Sequence, residues 1–500
     1  MKVSHFVLLG SFAFPTLLEA RGHENHHSGD GYTLRTSQID QSICNNTEGI
    51  NGYIDLEEDD VHMYFMVQNS RGNSETDPLI LWLTGGPGSS GVFWGAFQEL
   101  GSCVFEDPAS TRFNPYSWNA NATVIYVEPH EAQSSDKFFI YSQPVNVGYS
   151  YSSSPVSTLD KSTSHLLAFT KALFDAFPSW KYRDFYIAGE SYGGSYVPAL
   201  ASRIQSRRSS ALSKLAASTS TYDRLKINLK GVLIGNGLMN VVVQRRGLYN
   251  TGCVCPEPLL SPEACATVMD GSTRCELLEA ACQESNQMSS VCAVSNSFCS
   301  KNGFLQFNSS ERDPYYFPRK CALAEHGCGD NPNLIDWMNS TLVRERLHVD
   351  KDVQFLPSSE KVEQDFQKSG EVGYPSDFYV TELLDQGIKV LIYVGNKDWL
   401  CHAPGMRMLV DSLIWQGQAK FRALDYQKLS MPISPRVSRL ESFHFPAQES
   451  LGINEDATFG FHKRYAHLSF FEIEGAGHMA PADEPEKSLL MLHMWMNGLL

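Results

Sequence analysis

A serine flanked by glycines is the first residue whose setting indicates chemistry. Ser191 is the centre of Gly189-Glu190-Ser191-Tyr192-Gly193, which follows an apolar run and precedes a helical pattern. Glycines at these positions allow a sharp strand-to-helix turn that presents the hydroxyl, because larger neighbours would clash. The pattern predicts a nucleophile, with a structural turn that happens to contain serine as the alternative. A serine hydroxyl needs a base within hydrogen-bond reach.

Two further residues lie where a base and its partner would be needed. His478 lies in a glycine-lined stretch just after the apolar run 468–473, and Asp398 follows the apolar run 389–394. Each would lie at the carboxyl end of a buried parallel strand, where α/β folds build their sites. The chain order serine, aspartate, histidine is that of α/β-hydrolases. We therefore expect Ser191 to attack, His478 to act as general base and Asp398 to orient the imidazole.

A glycine-rich turn earlier in the chain could stabilise negative charge. Residues 85–90 read Gly-Gly-Pro-Gly-Ser-Ser, and their small side chains let backbone N–H groups approach a substrate closely. Acyl transfer needs such donors for the oxyanion, and the amide of Tyr192 is a second candidate. A phosphate-binding loop is the alternative, but the turn lacks the Lys-Ser/Thr ending of that motif.

Buried strands must position these residues. Short apolar runs rich in β-branched and aromatic residues predict six of them, at 78–83, 123–127, 185–189, 229–234, 389–394 and 468–473. Helical patterns, for example at 164–177 and 196–206, lie between several of the runs. Strands alternating with helices predict an α/β fold with a mostly parallel sheet that is covered on both faces.

The strand pattern stops between residues 237 and 374, where nine of the twelve cysteines lie. We interpret this region as a cap domain inserted into the core and stapled by disulfides. A zinc site is the alternative, but the spacings contain no paired Cys-x-x-Cys frame. The predicted division is a signal peptide (1–20), a flexible N-terminal arm (21–40), a first part of the core (41–236), the cap (237–374) and a second part of the core (375–500).

The amino terminus indicates the secretory pathway. Lys2 precedes an apolar stretch at 6–18 that is too short to span a membrane and ends near a cleavage site at Ala20. No later segment has the length of uncharged apolar sequence that a membrane helix needs. The cysteines and four glycosylation sequons agree with a secreted or vacuolar protein. The sequons begin at Asn45, Asn121, Asn308 and Asn339.

The charge balance limits the partners. With 40 Lys and Arg against 56 Asp and Glu, the formal net charge is −16, which disfavours nucleic acid and anionic membrane surfaces as ligands. A histidine cluster in the N-terminal arm has no cysteine or carboxylate frame, so we interpret it as solvated rather than metal-binding. It consists of His23, His26 and His27. We expect no metal and no cofactor.

Four motifs together resemble the serine carboxypeptidase family; they lie at residues 82–90, 143–150, 189–193 and 477–479. The likeness extends from about residue 44 to the C-terminus. It implies an α/β-hydrolase fold and the release of single residues from the C-termini of peptides and proteins, usually at acidic pH. It also implies that Gly86 and Tyr192 donate the oxyanion amides.

The resemblance further implies how the substrate's terminal carboxylate is held. In the family an asparagine and two glutamates bind this group, and the corresponding residues here are Thr84, Glu99 and Glu190. Two carboxyls close together cannot both ionise easily, so one keeps its proton and can donate to the substrate carboxylate. Thr84 offers one donor where an asparagine offers two, which predicts weaker carboxylate binding.

The resemblance also implies the bonding state of some cysteines. Cys321 and Cys328 correspond to a local disulfide, and Cys401 corresponds to a free thiol near the site. Ser89 stands where the family often has a cysteine, so a disulfide tying this turn to the cap is expected to be missing. Cys103 would then pair elsewhere.

Two segments, 129–142 and 428–451, look inserted relative to the family, either as genuine loops or as artefacts of gene translation.

Two other functions stay open. One is an esterase or acyltransferase with the same triad, because a fold does not fix the substrate. The other is an inactive binding protein whose cleft is obstructed by 129–142. The expected partner is a peptide C-terminus, and the chain can be a monomer or a homodimer.

Overall fold

The structure is a computed structural model of the 500-residue chain. It describes residues 25–29, 31–45, 47–107, 110–128, 147–153, 156–210, 227–254, 257–285, 289–321, 331–430 and 458–500. The predicted signal peptide (1–20), the segment 129–142 and residues 431–451 of the second inserted-looking segment lie outside the described residues.

A large sheet forms the centre of the protein. The strands are β1 Asn25–Gly29, β2 Tyr32–Gln38, β3 Gly49–Leu56, β4 Val61–Gln68, β5 Leu79–Leu83, β6 Cys103–Asp107, β7 Ser110–Phe113, β8 Thr123–Val127, β9 Tyr151–Ser152, β10 Phe185–Ser191, β11 Leu229–Gly237, β12 Lys389–Gly395, β13 Gln427–Ser430, β14 Thr458–Tyr465 and β15 Leu468–Ile473. Within the described residues, thirteen of them form one sheet in the order β1-β2-β3-β4-β8-β5-β10-β11-β12-β15-β14-β13, with β9 beside β4. β6 and β7 form a separate hairpin.

The centre of this sheet is parallel and its two sides are antiparallel. Strands β8, β5, β10, β11, β12 and β15 pair in parallel in that order, and they coincide with the six runs predicted from the sequence. Antiparallel strands extend the sheet on both sides. The sheet as a whole is therefore mixed, and the expected parallel arrangement describes its central part.

The prediction of a flexible N-terminal arm is wrong for Asn25–Gly29 and Tyr32–Gln38, which form β1 and β2. Tyr32 and Leu34 of β2 are buried, and β2 pairs with β3 along its whole length. β1 lies at the sheet edge, where His26 and His27 are exposed and pair through their backbones. Backbone pairing needs no apolar side chains, and a polar edge strand protects a sheet from further association. The composition of this segment therefore concealed its strands.

Helices cover both faces of the sheet. They are α1 Leu159–Ala176, α2 Gly193–Ser210, α3 Val241–Arg245, α4 Leu248–Cys253, α5 Pro262–Glu284, α6 Ser289–Lys301, α7 Pro332–Asn339, α8 Thr341–Arg346, α9 Glu360–Ser369, α10 Asp377–Asp385, α11 Ala403–Ser412, α12 Gln418–Arg422, α13 Ala480–Asp483 and α14 Pro485–Met496, with short helices at Gly91–Glu99, Trp118–Ala120, Pro178–Tyr182, Phe304–Ser310 and Glu371–Gly373. Side chains alternate along a strand, so Leu81 of β5 belongs to the core cluster that contains side chains of α1 and α2, while Trp82 belongs to the cluster on the other face that contains side chains of α14. No helix in the described part of the chain is both long and apolar enough to cross a bilayer.

The described residues between β11 and β12 form helices and turns. Disulfides Cys253–Cys265 and Cys282–Cys292 link elements within this region, which agrees with a cysteine-stapled segment. Cys103 bonds to Cys44 instead. Cys321 is also disulfide-bonded, but its predicted partner Cys328 lies outside the described residues. The free cysteines of the described chain are buried; they are Cys275, Cys299 and Cys401.

The four sequons differ in how their asparagines are placed. Asn45 and Asn308 are exposed, and Asn121 is half-buried. The side chain of Asn339 forms two hydrogen bonds with the backbone of Phe355. Its Nδ2 donates to the carbonyl (3.1 Å), and its Oδ1 accepts from the N–H (2.9 Å). Nδ2 also donates to the carbonyl of Ile335 (3.2 Å), so an attached sugar would replace one of two hydrogens that are both used; the glycan at Asn339 stays a prediction.

Candidate active site

Ser191 is the last residue of β10, at the turn into α2. Its φ is 56°, a conformation that is costly for a residue with a side chain and that is typical of functional sites. The flanking glycines permit it, because a Cβ at Gly189 or at Gly193 would lie 2.3 Å or 2.5 Å from the carbonyl oxygen of Leu83 on β5. The sharp turn predicted from the sequence therefore depends on close contact with the neighbouring strand.

His478 and Asp398 form a buried hydrogen-bonded pair. The Nδ1 of His478 lies 2.7 Å from the Oδ2 of Asp398, and the two side chains are 3% and 0% exposed. The Nε2 of His478 is buried and has no hydrogen-bond partner among the described residues. The imidazole is thus held at one nitrogen while the other can exchange a proton.

The charge of Asp398 favours the protonated form of His478. Burial by itself lowers the pKa of this imidazole, but the charge of Asp398 and the hydrogen bond to it outweigh that effect, so the pKa is raised. A base with this arrangement becomes a stable imidazolium once it has taken a proton, as acyl transfer requires.

Asp398 is itself fixed by hydrogen bonds that the sequence did not reveal. Besides His478 it accepts from the Nδ2 of Asn236 (2.8 Å) and from the N–H groups of Leu400 (2.8 Å) and Cys401 (3.1 Å). Asn236 lies near the end of β11, in Gly-Asn-Gly, with a φ of 39°. Its positive φ between two glycines is a signal that could have drawn attention to it.

The three predicted residues lie at one edge of the sheet. Ser191 ends β10, Asp398 follows β12 and His478 follows β15, and these strands are neighbours through β11. Ser191 pairs with Gly237, next to the asparagine that contacts Asp398. A pocket of about 910 Å³ opens at Ser191, with walls from Leu238, α6 and α9. Its size suits a peptide segment rather than a small ion.

The glycine-rich turn lies directly against the nucleophile. A Cβ at Gly85 would lie 2.4 Å from the backbone nitrogen of Tyr192, and Gly86 has a φ of 107° that favours glycine. The turn has no cysteine for a disulfide, but it is held by a hydrogen bond between Ser89 Oγ and Ser358 Oγ (3.1 Å). The predicted oxyanion residues Gly86 and Tyr192 are therefore on adjacent segments.

Glu99 and Glu190 form a second buried pair, beside the nucleophile. They are 1% and 3% exposed, and they lie close enough that each affects the ionisation of the other, while both carboxyl oxygens of Glu99 and Oε2 of Glu190 have no hydrogen-bond partner among the described residues. Burial raises the pKa of Glu99 to about 7, although the interaction with Glu190 acts in the opposite direction. Burial and the nearby Glu99 hold the pKa of Glu190 well above its usual range. Thr84, also buried, accepts a hydrogen bond from the indole of Trp82 (2.9 Å) through its Oγ1.

A comparison with protein families identifies the chain as a whole. The family model described as serine carboxypeptidase matches residues 39–498. The chain belongs to the serine carboxypeptidase family. Its enzyme class is accordingly that of serine-type carboxypeptidases, which are peptide-bond hydrolases.

Individual serine carboxypeptidases are similar over nearly the whole chain. Carboxypeptidase Y of Komagataella phaffii is 31% identical over 473 residues, which cover 93% of this chain and 80% of that protein. Carboxypeptidase Y of Saccharomyces cerevisiae is 31% identical over 480 residues, covering 94% and 80%. The solved structure of Kex1(delta)p, a prohormone-processing carboxypeptidase from Saccharomyces cerevisiae, matches with a TM-score of 0.71 at 21% identity, covering 90% of this chain and 91% of that chain. This likeness shows the α/β-hydrolase fold.

One group of side chains in this serine carboxypeptidase has the spacing of metal ligands. Asp398, Cys401 and His478 each offer an atom, and these atoms lie within 4.8 Å of one another. The carboxylate of Asp398 already accepts four hydrogen bonds, one of them from His478. A cation would have to break that pairing, so the donor set fits proton transfer better than metal binding.

Glu128 is a buried carboxyl that the sequence interpretation did not single out. It follows β8, and its Oε1 accepts from the hydroxyl of Ser90 (2.9 Å) at the start of the helix Gly91–Glu99. Burial raises its pKa to about 8, although Ser90 and the backbone N–H groups of Gly91 and Val92 act in the opposite direction. Glu128 thus anchors the first turn of the helix whose last residue is Glu99.

Replacing Glu128 by glutamine should stabilise the protein at alkaline pH relative to wild type. The folded-state pKa of Glu128 is about 8, whereas an unfolded glutamate titrates near 4.3. The folded state therefore binds more protons between these values, and its stability falls as pH rises through that window. We expect the difference in unfolding free energy between variant and wild type to grow by about 1 kcal/mol per pH unit from pH 5 to 8, measured by urea denaturation. The same change at exposed Glu75 is the control, and a pH-independent difference for Glu128→Gln would contradict the prediction.

Proposed function

We propose that the chain releases single amino acids from the C-termini of peptides and proteins through an acyl-enzyme intermediate, at acidic pH. The observation that carries this proposal is the buried Glu99–Glu190 pair beside Ser191. An esterase would gain nothing from two carboxyls held protonated next to its nucleophile. An exopeptidase needs a neutral donor there to receive a substrate carboxylate.

In the proposed reaction Ser191 attacks the last peptide carbonyl. His478 takes the hydroxyl proton at Nε2 and returns it to the leaving amine, while Asp398 keeps the imidazole in the tautomer with its proton on Nδ1. The N–H groups of Gly86 and Tyr192 receive the oxyanion. Water then attacks the acyl-serine with the same base, and the shortened peptide leaves.

The terminal carboxylate is held by the protonated carboxyls of Glu99 and Glu190 together with the hydroxyl of Thr84. Each carboxyl is buried, so a neutral side chain that donates a hydrogen bond is favoured over an ionised one. Binding of the substrate carboxylate requires Glu99 to keep its proton, which favours activity below pH 7 or so. The hydroxyl of Thr84 contributes one donor.

The setting of the proposed enzyme is the secretory pathway, either outside the cell or in a vacuole. The apolar N-terminal stretch with a cleavage site at Ala20, the disulfides of the described residues and the exposed sequon residues Asn45 and Asn308 support this location. The relatives named carboxypeptidase Y and the prohormone-processing Kex1(delta)p support peptides as the substrate class.

The test compares a blocked dipeptide with its C-terminal amide at several pH values from 5 to 7, because His478 must be neutral while Glu99 is protonated. We expect release of the last residue from the free acid, with kcat/KM at least about tenfold above that of the amide, because the charged carboxylate accepts stronger hydrogen bonds from the protonated glutamates than a neutral amide does. A serine-directed phosphonate should label Ser191 and abolish activity. Equal rates on the two substrates would point to a general esterase, and a folded protein that is neither labelled nor active would be a binding protein.

A further inference from the structure

A turn between β11 and β12 contacts the loop that follows β12. Residues 313–317, here called the clamp turn, lie against the backbone on both sides of the candidate aspartate. The N–H of Trp399 donates to the carbonyl of Pro314 (3.0 Å), and the N–H of Phe317 donates to the carbonyl of Lys397 (3.0 Å). The same turn therefore holds the aspartate loop at two points, one before and one after the carboxylate.

The clamp turn also contacts the loop that carries the candidate base. The N–H of His478 donates to the carbonyl of Tyr315 (2.7 Å), and the two rings meet edge to face at 5.2 Å. The contact is so close that a Cβ at Gly477 would lie 2.3 Å from the carbonyl oxygen of Tyr315 and 3.0 Å from the ring of Tyr316. Only glycine fits at this position, and the backbone of the histidine is held directly.

Asp313 holds the clamp turn in its conformation. Its side chain is 1% exposed; Oδ1 accepts from the N–H of Tyr315 (2.9 Å) and Oδ2 accepts from the Nη1 of Arg319 (3.2 Å). Its own N–H donates to the carbonyl of Arg319 (3.0 Å). A buried carboxylate with these donors fixes the backbone whose carbonyls meet the two loops.

We propose that Asp313 is a positioning residue for the Asp398–His478 pair, acting through the clamp turn on the backbones of both loops. The proposal rests on the proposed function. Asp313 acts through backbone hydrogen bonds and not on the substrate, so its removal should change the rate of the chemical step more than substrate binding.

The physical reason is that the imidazole needs support on two sides. The two loops already contact each other, because the N–H of Lys397 donates to the carbonyl of Ala476 (2.7 Å). That contact and the pairing of His478 with Asp398 join the two loops to each other, and Asn236 attaches the side chain of Asp398 to β11 beside Ser191. The clamp turn provides a separate attachment, and a misplacement of about 1 Å at a reacting group can cost up to about a hundredfold in rate.

The test is the kinetics of Asp313→Ala on a blocked dipeptide. We expect kcat to fall about tenfold with KM changed less than about twofold. The acid limb of the pH profile should also move to lower pH, because His478 would be less firmly paired with the carboxylate that raises its pKa. Asp313→Asn keeps an oxygen for the N–H of Tyr315, so its kcat should stay within about threefold of wild type.

Three further variants separate positioning from folding. Asp313→Glu moves the oxygens by one methylene and should lower kcat in a folded protein even if the alanine variant does not fold. Arg319→Ala removes only a half-exposed partner and should leave kcat within about twofold. Ser261→Ala removes the N-cap of α5 in the same region, where the hydroxyl accepts from the N–H of Ala264, and should lower thermal stability without lowering kcat.

The outcomes are decisive in each direction. If folded Asp313→Ala or Asp313→Glu had the kcat and the pH profile of wild type, the proposal would be overturned. A loss of kcat in Asp313→Asn equal to the loss in Asp313→Ala would also overturn it. So would an equal loss of kcat in Ser261→Ala. If the wild-type protein released no C-terminal residue, the proposed function would fail instead, which is a separate result.

Discussion

Replacing Asp398 by asparagine is expected to lower kcat by about 10⁴-fold while KM changes little, because the tautomer of the base would be wrong. The carboxylate accepts the Nδ1–H of His478 at 2.7 Å. An asparagine can turn its amide N–H₂ toward that nitrogen, since its Oδ1 can still accept from the N–H groups of Leu400 or Cys401. The imidazole would then carry its proton on Nε2 and could not take one from Ser191.

Steady-state kinetics on a blocked dipeptide measure this loss, and a buried carboxylate of the same sheet provides the matched control. Glu472 of β15 is buried and paired with Arg407 (2.7 Å), so Glu472→Gln removes an equal charge without touching the base. We expect that variant to lose stability and to keep kcat within a few-fold of wild type. If Asp398→Asn kept more than about a tenth of the wild-type kcat, the role assigned to the carboxylate would be wrong.

Replacing Glu99 by glutamine is expected to remove the pH dependence of substrate binding. Burial raises the pKa of Glu99 to about 7, so the side chain is neutral at pH 5 and negative at pH 9. The ionised form repels the substrate carboxylate and cannot donate to it. In wild type the KM for a free-acid peptide should therefore rise about tenfold per pH unit above pH 7, or about 100-fold by pH 9.

Glutamine is neutral and donates at every pH, so the KM of Glu99→Gln should stay flat from pH 5 to 9. The measurement is KM against pH for wild type, for Glu99→Gln and for Glu106→Gln, an exposed carboxyl on β6. The C-terminal amide of the same peptide tests the cause, since its KM should not follow the ionisation of Glu99. A wild-type KM that is constant across this range would show that Glu99 does not meet the substrate carboxylate.

The two buried pairs set opposing limits on the pH optimum. The charge of Asp398 raises the pKa of His478, so the base gains protons, and activity is lost, as pH falls. Glu99 loses its proton, and binding of the substrate carboxylate is lost, as pH rises through about 7. The profile of kcat/KM should accordingly be bell-shaped, with one limb from each pair.

The sequence predicted the central strands because each is buried on both faces and therefore reads as a continuous apolar run. It also placed Ser191, Asp398 and His478 at strand ends, because glycines and polar residues directly follow such runs, and the structure confirms this placement. Their catalytic roles stay predictions. The N-terminal strands were missed because β1 is a polar edge strand and half-burial in β2 weakens the apolar pattern.

The sequence by itself thus determined which residues could react, because the apolar strand, the glycines and the reactive side chain of each motif lie within a few residues of one another in the chain. Only the tertiary structure decided what surrounds them. The bond from Asn236 to Asp398, the bond from Ser90 to Glu128 and the contacts of the clamp turn with two loops each join residues that are far apart in the chain. Such contacts depend on the packing of the whole fold, because a polar side chain becomes a structural partner only when burial removes its water.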